Sequence, residues 1–407
     1  MWWSWLACTG PPGPPSDPLP LKVSLDPEQV WSAVDVAVDQ HHATVVALPG
    51  AAGAAVSWTD GQMWESHVSR LLPLDPHGAA IGQALVLDGG GVAAKPDIDV
   101  DRRGRLVVAY QSDLGIELER VDLDPHGSER VTLPGGYAVA EGNNSVDVAV
   151  TSGGTTLLVW YEQDTPIGRY HTGAVDAALS PSYLLPETLW EVDDSGAATP
   201  DIEVDAHDRI SLAWVDQHFR SDTGGGEPDR LMLDQWGADG APRWSIELDR
   251  TTGLAGPRRA TVSSDPDGRL AVGWRKRAED IPTPSTARIG FVDVDGRWLR
   301  EPFEPLEGNT DDIVVAMVGS TAVWVVWTSE PDPVEGLGTI TGGLLAFPSG
   351  EWLDGPMILS DGATASRPHT DVARITDGEW RVVVSWEQDG ADWVRLVRGR
   401  VGVISAR

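Results

Sequence analysis

Cysteine is all but missing from these 407 residues, with Cys8 the single example. That excludes an internal disulfide framework and a zinc site built from several cysteines. Lysine is nearly as scarce: Lys22, Lys95 and Lys276 are the whole set. Against 30 basic residues stand 62 acidic ones, a formal net charge of −32. Such a surface repels phosphate backbones and anionic headgroups, so neither nucleic acid nor direct membrane binding is expected, and the acidity serves solubility. No stretch approaches the ~20 continuous apolar residues of a membrane helix, and no sustained helical periodicity appears. Gly-x-Ser-x-Gly, P-loop and His-Glu-x-x-His motifs are absent. A hydrophobic fraction of 41% is nonetheless ample for a folded core.

What is present is a repeat. Pro96-Asp97-Ile98-Asp99-Val100-Asp101, then Gly104 and Leu106–Tyr110, returns as Pro200-Asp201-Ile202-Glu203-Val204-Asp205, then Asp208 and Ile210–Trp214. Seven copies end on the aromatic residues Trp58, Tyr110, Trp160, Trp214, Trp274, Trp327 and Trp386, spaced 50 to 60 residues apart. Constant strands with loops of variable length give this spacing. Behind each anchor come two further strand-like runs joined by a turn, as in Leu74-Asp75-Pro76-His77-Gly78 and Leu123-Asp124-Pro125-His126-Gly127. Four strands per repeat make one blade of a β-propeller. Burying one aromatic anchor removes ~150–250 Å² from water, about 4–6 kcal/mol as an upper figure. The anchors are therefore core residues.

The ends of the chain fit a closed ring. After Trp386 there is room for one more strand, around Trp393–Val397, while Leu21–Leu25 is a strand with no repeat of its own. The fold expected is all-β: a seven-bladed propeller of four-stranded blades over residues 21–407, closed by the N-terminal strand completing the last blade.

Aligned on the first strand, a β-branched position reads Val36, Ile98, Val148, Ile202, Val262, Ile313 and Val372. The residue before it is Asp35, Asp97, Asp147, Asp201, Thr261, Asp312 or Asp371. Aspartate is disfavoured in strands, and in a propeller this position lies at the mouth of the axial channel. Two readings follow. Each carboxylate accepts backbone N–H bonds and knits one blade to the next, or the six together form a socket for a cation or a basic ligand. A second acidic set, Asp39, Asp101, Asp205 and Asp265, falls at the turn on the opposite face. Its spacing matches a turn better than a calcium loop, and structural Ca²⁺ is the only cofactor it suggests. Two irregular features stand outside the repeat: the loop Gln217–Arg230 and the basic run Arg275-Lys276-Arg277.

The start of the chain, Met1-Trp2-Trp3-Ser4-Trp5-Leu6-Ala7-Cys8, ends in Leu-Ala-Cys and is followed by Gly10-Pro11-Pro12-Gly13-Pro14-Pro15. It resembles the lipobox of bacterial lipoproteins. The resemblance implies a short signal over residues 1–8, lipid on Cys8, a Pro-rich tether over 9–20 and a place in the cell envelope. The expectation is a monomeric, non-catalytic binding or scaffolding module that docks a protein or glycan on the Asp-lined face. The alternative is an extracellular hydrolase acting on glycans through carboxylates of the same face.

Overall fold

A computed structural model describes residues 21–32, 40–61, 68–87, 94–112, 115–123, 126–133, 146–164, 167–182, 184–186, 188–192, 200–216, 229–251, 257–276, 285–305, 310–329, 337–362, 364–389 and 395–406. They form seven antiparallel sheets arranged as a ring, the seven-bladed β-propeller expected. Blade 1 runs outward from Gln40–Ala47 through Ala54–Asp60 and Val68–Leu74 to Leu85–Leu87. Blades 2 to 6 begin at Ala94–Val100, Val146–Val150, Asp201–Val204, Pro257–Ser264 and Thr310–Val318. In blade 3 the outermost position is divided between Pro181–Ser182 and Thr188–Val192.

Blade 7 takes Ala365–Thr376, Glu379–Asp389 and Arg395–Ala406 from the C-terminal end, and its outermost strand is Leu21–Leu25. Leu21 lies opposite Ala406 and Leu25 opposite Gly402. Leu21 and Val23 sink into a cluster with Trp324, Trp386 and Ile404, so the closing strand is held by core packing as well as its ladder. Its Val23 N–H reaches sideways to Asp354 Oδ2 of blade 6 at 2.9 Å.

The seven aromatic anchors are all buried, Tyr110, Trp274 and Trp386 completely. Each sits on the second strand of its blade, where β-branched and aromatic residues fill the space between twisted sheets. On the face away from the strand starts, the acidic turns are closed by their own neighbours. Asp101 Oδ1 accepts the Arg103 and Arg105 N–H groups at 2.8 and 3.0 Å, and its Oδ2 pairs with Arg105 Nε at 2.8 Å. Asp205 with Arg209 and Asp265 with Arg269 repeat the arrangement. Arg209 and Arg269 then reach the Asp267 and Ser320 carbonyls of the next blade. Arg120 does the same from deeper in the fold, donating to the Gly154, Ala177 and Asp176 carbonyls of blade 3 at 3.2, 3.1 and 2.9 Å.

Candidate functional site

Strand pairing fixes which residues share a level of the channel. The position before each β-branched residue lies opposite the residue preceding the anchor: Asp97 faces Ala109, Asp147 faces Val159, Asp201 faces Ala213 and Thr261 faces Gly273. By the same register the other three blades contribute Thr44, Val314 and His369. The upper level is thus Thr44, Asp97, Asp147, Asp201, Thr261, Val314 and His369. Six-membered acidic symmetry is replaced by three adjacent carboxylates on blades 2, 3 and 4. Asp312 lies two residues before the ring position and Asp371 two residues after it. Asp35 lies outside the described residues, as does Asp39, and the innermost strand described for blade 1 is Gln40–Ala47, not the stretch around Asp35. That strand ends in the tight turn 48–53, where a Cβ on Gly53 would meet Leu74 O at 2.0 Å.

Strand pairing sets these two positions, and most of the innermost strands also carry a β-bulge at their start. In blades 1, 2, 5, 6 and 7 the innermost strand carries one extra residue just before the ring position. In four of these the extra residue is non-glycine with left-handed backbone: His42 (φ 54°), Lys95 (50°), Asp312 (39°) and Arg367 (49°). Two of the bulges dock on the preceding blade through their backbone: the His42 N–H donates to Glu387 Oε1 at 2.8 Å and the Lys95 N–H to Thr59 Oγ1 at 2.9 Å. Asp312 stands 3.8 Å from Arg275, the first residue of the basic run. Lys276, the second, pairs with Asp249, and Arg277 lies outside the described residues together with most of the loop Gln217–Arg230.

The ring carboxylates are spoken for. Asp97 Oδ2 accepts the Val148 N–H at 2.9 Å, Asp147 Oδ2 the Ile202 N–H at 2.6 Å and Asp201 Oδ2 the Val262 N–H at 2.6 Å. Thr261 Oγ1 and His369 Nδ1 receive the corresponding N–H groups of Val315 and Val45. A second level two residues further along repeats the device. Asp99 accepts from Val150, Glu203 from Ser264, Ser263 from Met317 and Asp371 from Ala47. Five of the six carboxylates at these two levels have raised pKa values. Burial is the largest cause throughout, and neighbouring carboxylates add to it. Asp99 is pushed up to about 7 and Glu203 to about 8. Burial holds His369 below the ordinary imidazole value.

Two cavities lie along the axis. The mouth, about 450 Å³, is bounded by the upper ring together with His42, Lys95, Arg275, Asp312, Arg367 and Glu387. The inner one, about 410 Å³, reaches Asp99, Glu203 and Asp371 and shares Asp97, Asp147 and Asp201 with the mouth. Both are the size of small-molecule sites. Lys95, Arg367 and His42 were not singled out by the repeat pattern as site residues. The signal that marks two of them is a cation directly before proline at the start of the strand, Lys95-Pro96 and Arg367-Pro368, where proline bars the right-handed helical region to the preceding residue.

The architecture is that of the seven-bladed β-propellers, and known structures share it at low identity. A protein of unknown function from Dyadobacter fermentans DSM 18053 is similar over 95% of this chain and 100% of its own, with 10% identity and a TM-score of 0.51. An ulvan lyase of polysaccharide lyase family PL25 is similar over 88% of this chain and 93% of its own, with 11% identity and a TM-score of 0.52. The same lyase has been solved bound to -[GlcA(1-4)Rha3S]-. At this distance the likeness concerns the fold alone. No family model matches the chain, and no curated protein is similar to it.

Proposed function

We propose that this chain is a non-catalytic binding propeller of the cell envelope that takes a glycan at the channel mouth, tethered through lipid on Cys8. The observation that carries the binding reading is the use of the carboxylates. Asp97, Asp147 and Asp201 each give an oxygen to the backbone of the next blade. A glycoside hydrolase needs two carboxyl groups about 5–9.5 Å apart with oxygens available to substrate. The feature favouring the hydrolase alternative is the raised pKa of Asp147 and Asp201, which favours their acid forms beside a third carboxyl group. Their commitment to the blade contacts weighs against it. The glycan-bound ulvan lyase is an instance of a propeller of this kind seating a saccharide.

Affinity electrophoresis against a panel of neutral and acidic polysaccharides tests the reading, with reducing ends assayed in the same samples. Retardation without new reducing ends is the expected result. Cleavage that disappears in Asp97→Asn would replace it with the hydrolase. Residues 1–20 lie outside the described residues, so the anchor has its own test. Mass analysis of the chain expressed in a bacterium is expected to give a mature N-terminus at a lipid-modified Cys8, and an unmodified Cys8 removes the tether. Sedimentation is expected to show a monomer.

A further inference from the structure

The rim of the mouth carries three cations beside Asp312 and Glu387, in a chain whose formal net charge is −32. One of its three lysines, Lys95, stands there with Arg367 and Arg275. Lys95 and Arg367 are each the extra residue of a bulge, with φ of 50° and 49°. Left-handed backbone at a non-glycine residue is a strain that the surrounding structure must hold, and a bulge turns its side chain out of the alternation that the sheet dictates. Arg367 has only part of a counter-ion: Glu387 Oε2 is 3.3 Å from Arg367 and 3.0 Å from Arg395, so one carboxylate serves two guanidinium groups. Half-buried Lys95 has no hydrogen-bond or ion-pair partner for its ammonium among the described residues. Burial first, and then the Arg367 charge, draw its pKa down to about 8. Below the rim, burial and then neighbouring carboxylates raise the pKa values of Asp147 and Asp201, which reduces the negative charge facing the cations.

A cavity of about 450 Å³ accommodates one or two sugar rings. We propose that Lys95 and Arg367 form an oxyanion subsite at this mouth. It takes a saccharide bearing a carboxylate or sulfate group, with the anion on the two cations and the sugar ring in the mouth beside them. This rests on the mouth being a ligand site, as argued above, and names the ligand's chemistry.

The test is a titration of the full chain by calorimetry with D-glucuronate, D-glucose and acetate, at low salt and at 0.5 M NaCl. Glucuronate is expected to bind at least about tenfold tighter than glucose or acetate, since a charge-assisted contact is stronger than a neutral one. Its affinity is expected to fall at high salt. Lys95→Gln is expected to lose about tenfold or more in glucuronate affinity with an unchanged thermal midpoint. Lys22→Gln, on the exposed side of the closing strand, is expected to bind as wild type. Glucuronate affinity unchanged in Lys95→Gln, or equal affinity for glucuronate and glucose, overturns the subsite while leaving a glycan-binding mouth. Acetate binding as well as glucuronate reduces the site to a bare anion hole and overturns the saccharide assignment. Silence toward both sugars overturns the subsite as well, and silence in the polysaccharide panel besides removes the binding reading itself.

Discussion

The inner level of the channel makes stability depend on pH in a direction opposite to that of most acidic side chains, and Asp99 is the place to measure it. Its two oxygens accept the Val100 and Val150 N–H groups at 2.6 and 2.7 Å, yet burial pushes its pKa up to about 7. The native state therefore holds a proton that the unfolded chain has already released. Stability from this group is fully present below the ordinary value of 3.8 and is lost as pH rises through about 7. The gap corresponds to about 4 kcal/mol as an upper figure, because the channel admits solvent. Asp97 and Asp371 face Asp99 and raise its pKa further, and Glu203 is coupled to it from blade 4. His369 acts in the opposite sense: its lowered pKa costs stability as pH falls below about 6.5. Asp99→Asn removes the titration and one acceptor. The lost acceptor is worth about 1–3 kcal/mol. Urea denaturation followed by tryptophan fluorescence at pH 5 and pH 8 separates the two effects. Asp99→Asn is expected to be less stable than wild type at pH 5 and equal or more stable at pH 8, and the comparison cancels both His369 and the general charge repulsion. Parallel pH dependence in the two proteins refutes the reasoning.

Three further outcomes follow from contacts elsewhere. Leu21→Ala, in the closing strand, is expected to destabilise the ring by about 2–5 kcal/mol in the same urea assay, because Leu21 is 2% exposed within the cluster that holds Trp386. Arg120→Met is expected to cost about 3–5 kcal/mol; it leaves the blade 3 carbonyls of Gly154, Ala177 and Asp176 without their buried donor, and thermal unfolding reads it. Glu203→Gln is expected to flatten the pH dependence between about 4.5 and 8 as Asp99→Asn does between 3.8 and about 7, read by the same pair of denaturation curves.

The repeat was legible because core chemistry is local. The anchor positions from Trp58 to Trp386 need a large apolar side chain in every blade, and the second-strand pattern supplies it each time. Closure by Leu21–Leu25 was legible from an unassigned strand at one end and a shortfall at the other. The site was legible only in part. Asp97, Asp147 and Asp201 fall where the pattern places them, but Asp312 and Asp371 do not. A slip of two residues keeps every side chain on the same face of a strand, whose period is two. Thr-Asp-Asp-Ile and His-Thr-Asp-Val therefore fit the alternation as well in the wrong register as in the right one. The correct β-branched positions, Val315 and Thr370, are as good a match as Ile313 and Val372. Only pairing with the second strand decides between them.

The bulges also explain why the mouth departs from sevenfold symmetry while the wall beneath it nearly keeps it. A side chain in the regular ladder points where the sheet alternation sends it, and at five of the seven ring positions that direction is taken up by the N–H of the next blade. Asp, Thr and His can all accept that bond, so the wall tolerates chemical variety without changing its job. The extra residue of a bulge meets a different demand. In four blades its backbone is held left-handed, and in two of them its N–H docks on the preceding blade, His42 on Glu387 and Lys95 on Thr59. The side chain is left outside the ladder, so its identity is not dictated by blade packing. Histidine, lysine, aspartate and arginine occupy the four positions. A frame in which the main chain does the joining is free to vary the side chains it presents at the opening, and that is where binding specificity can be changed at little cost to the fold.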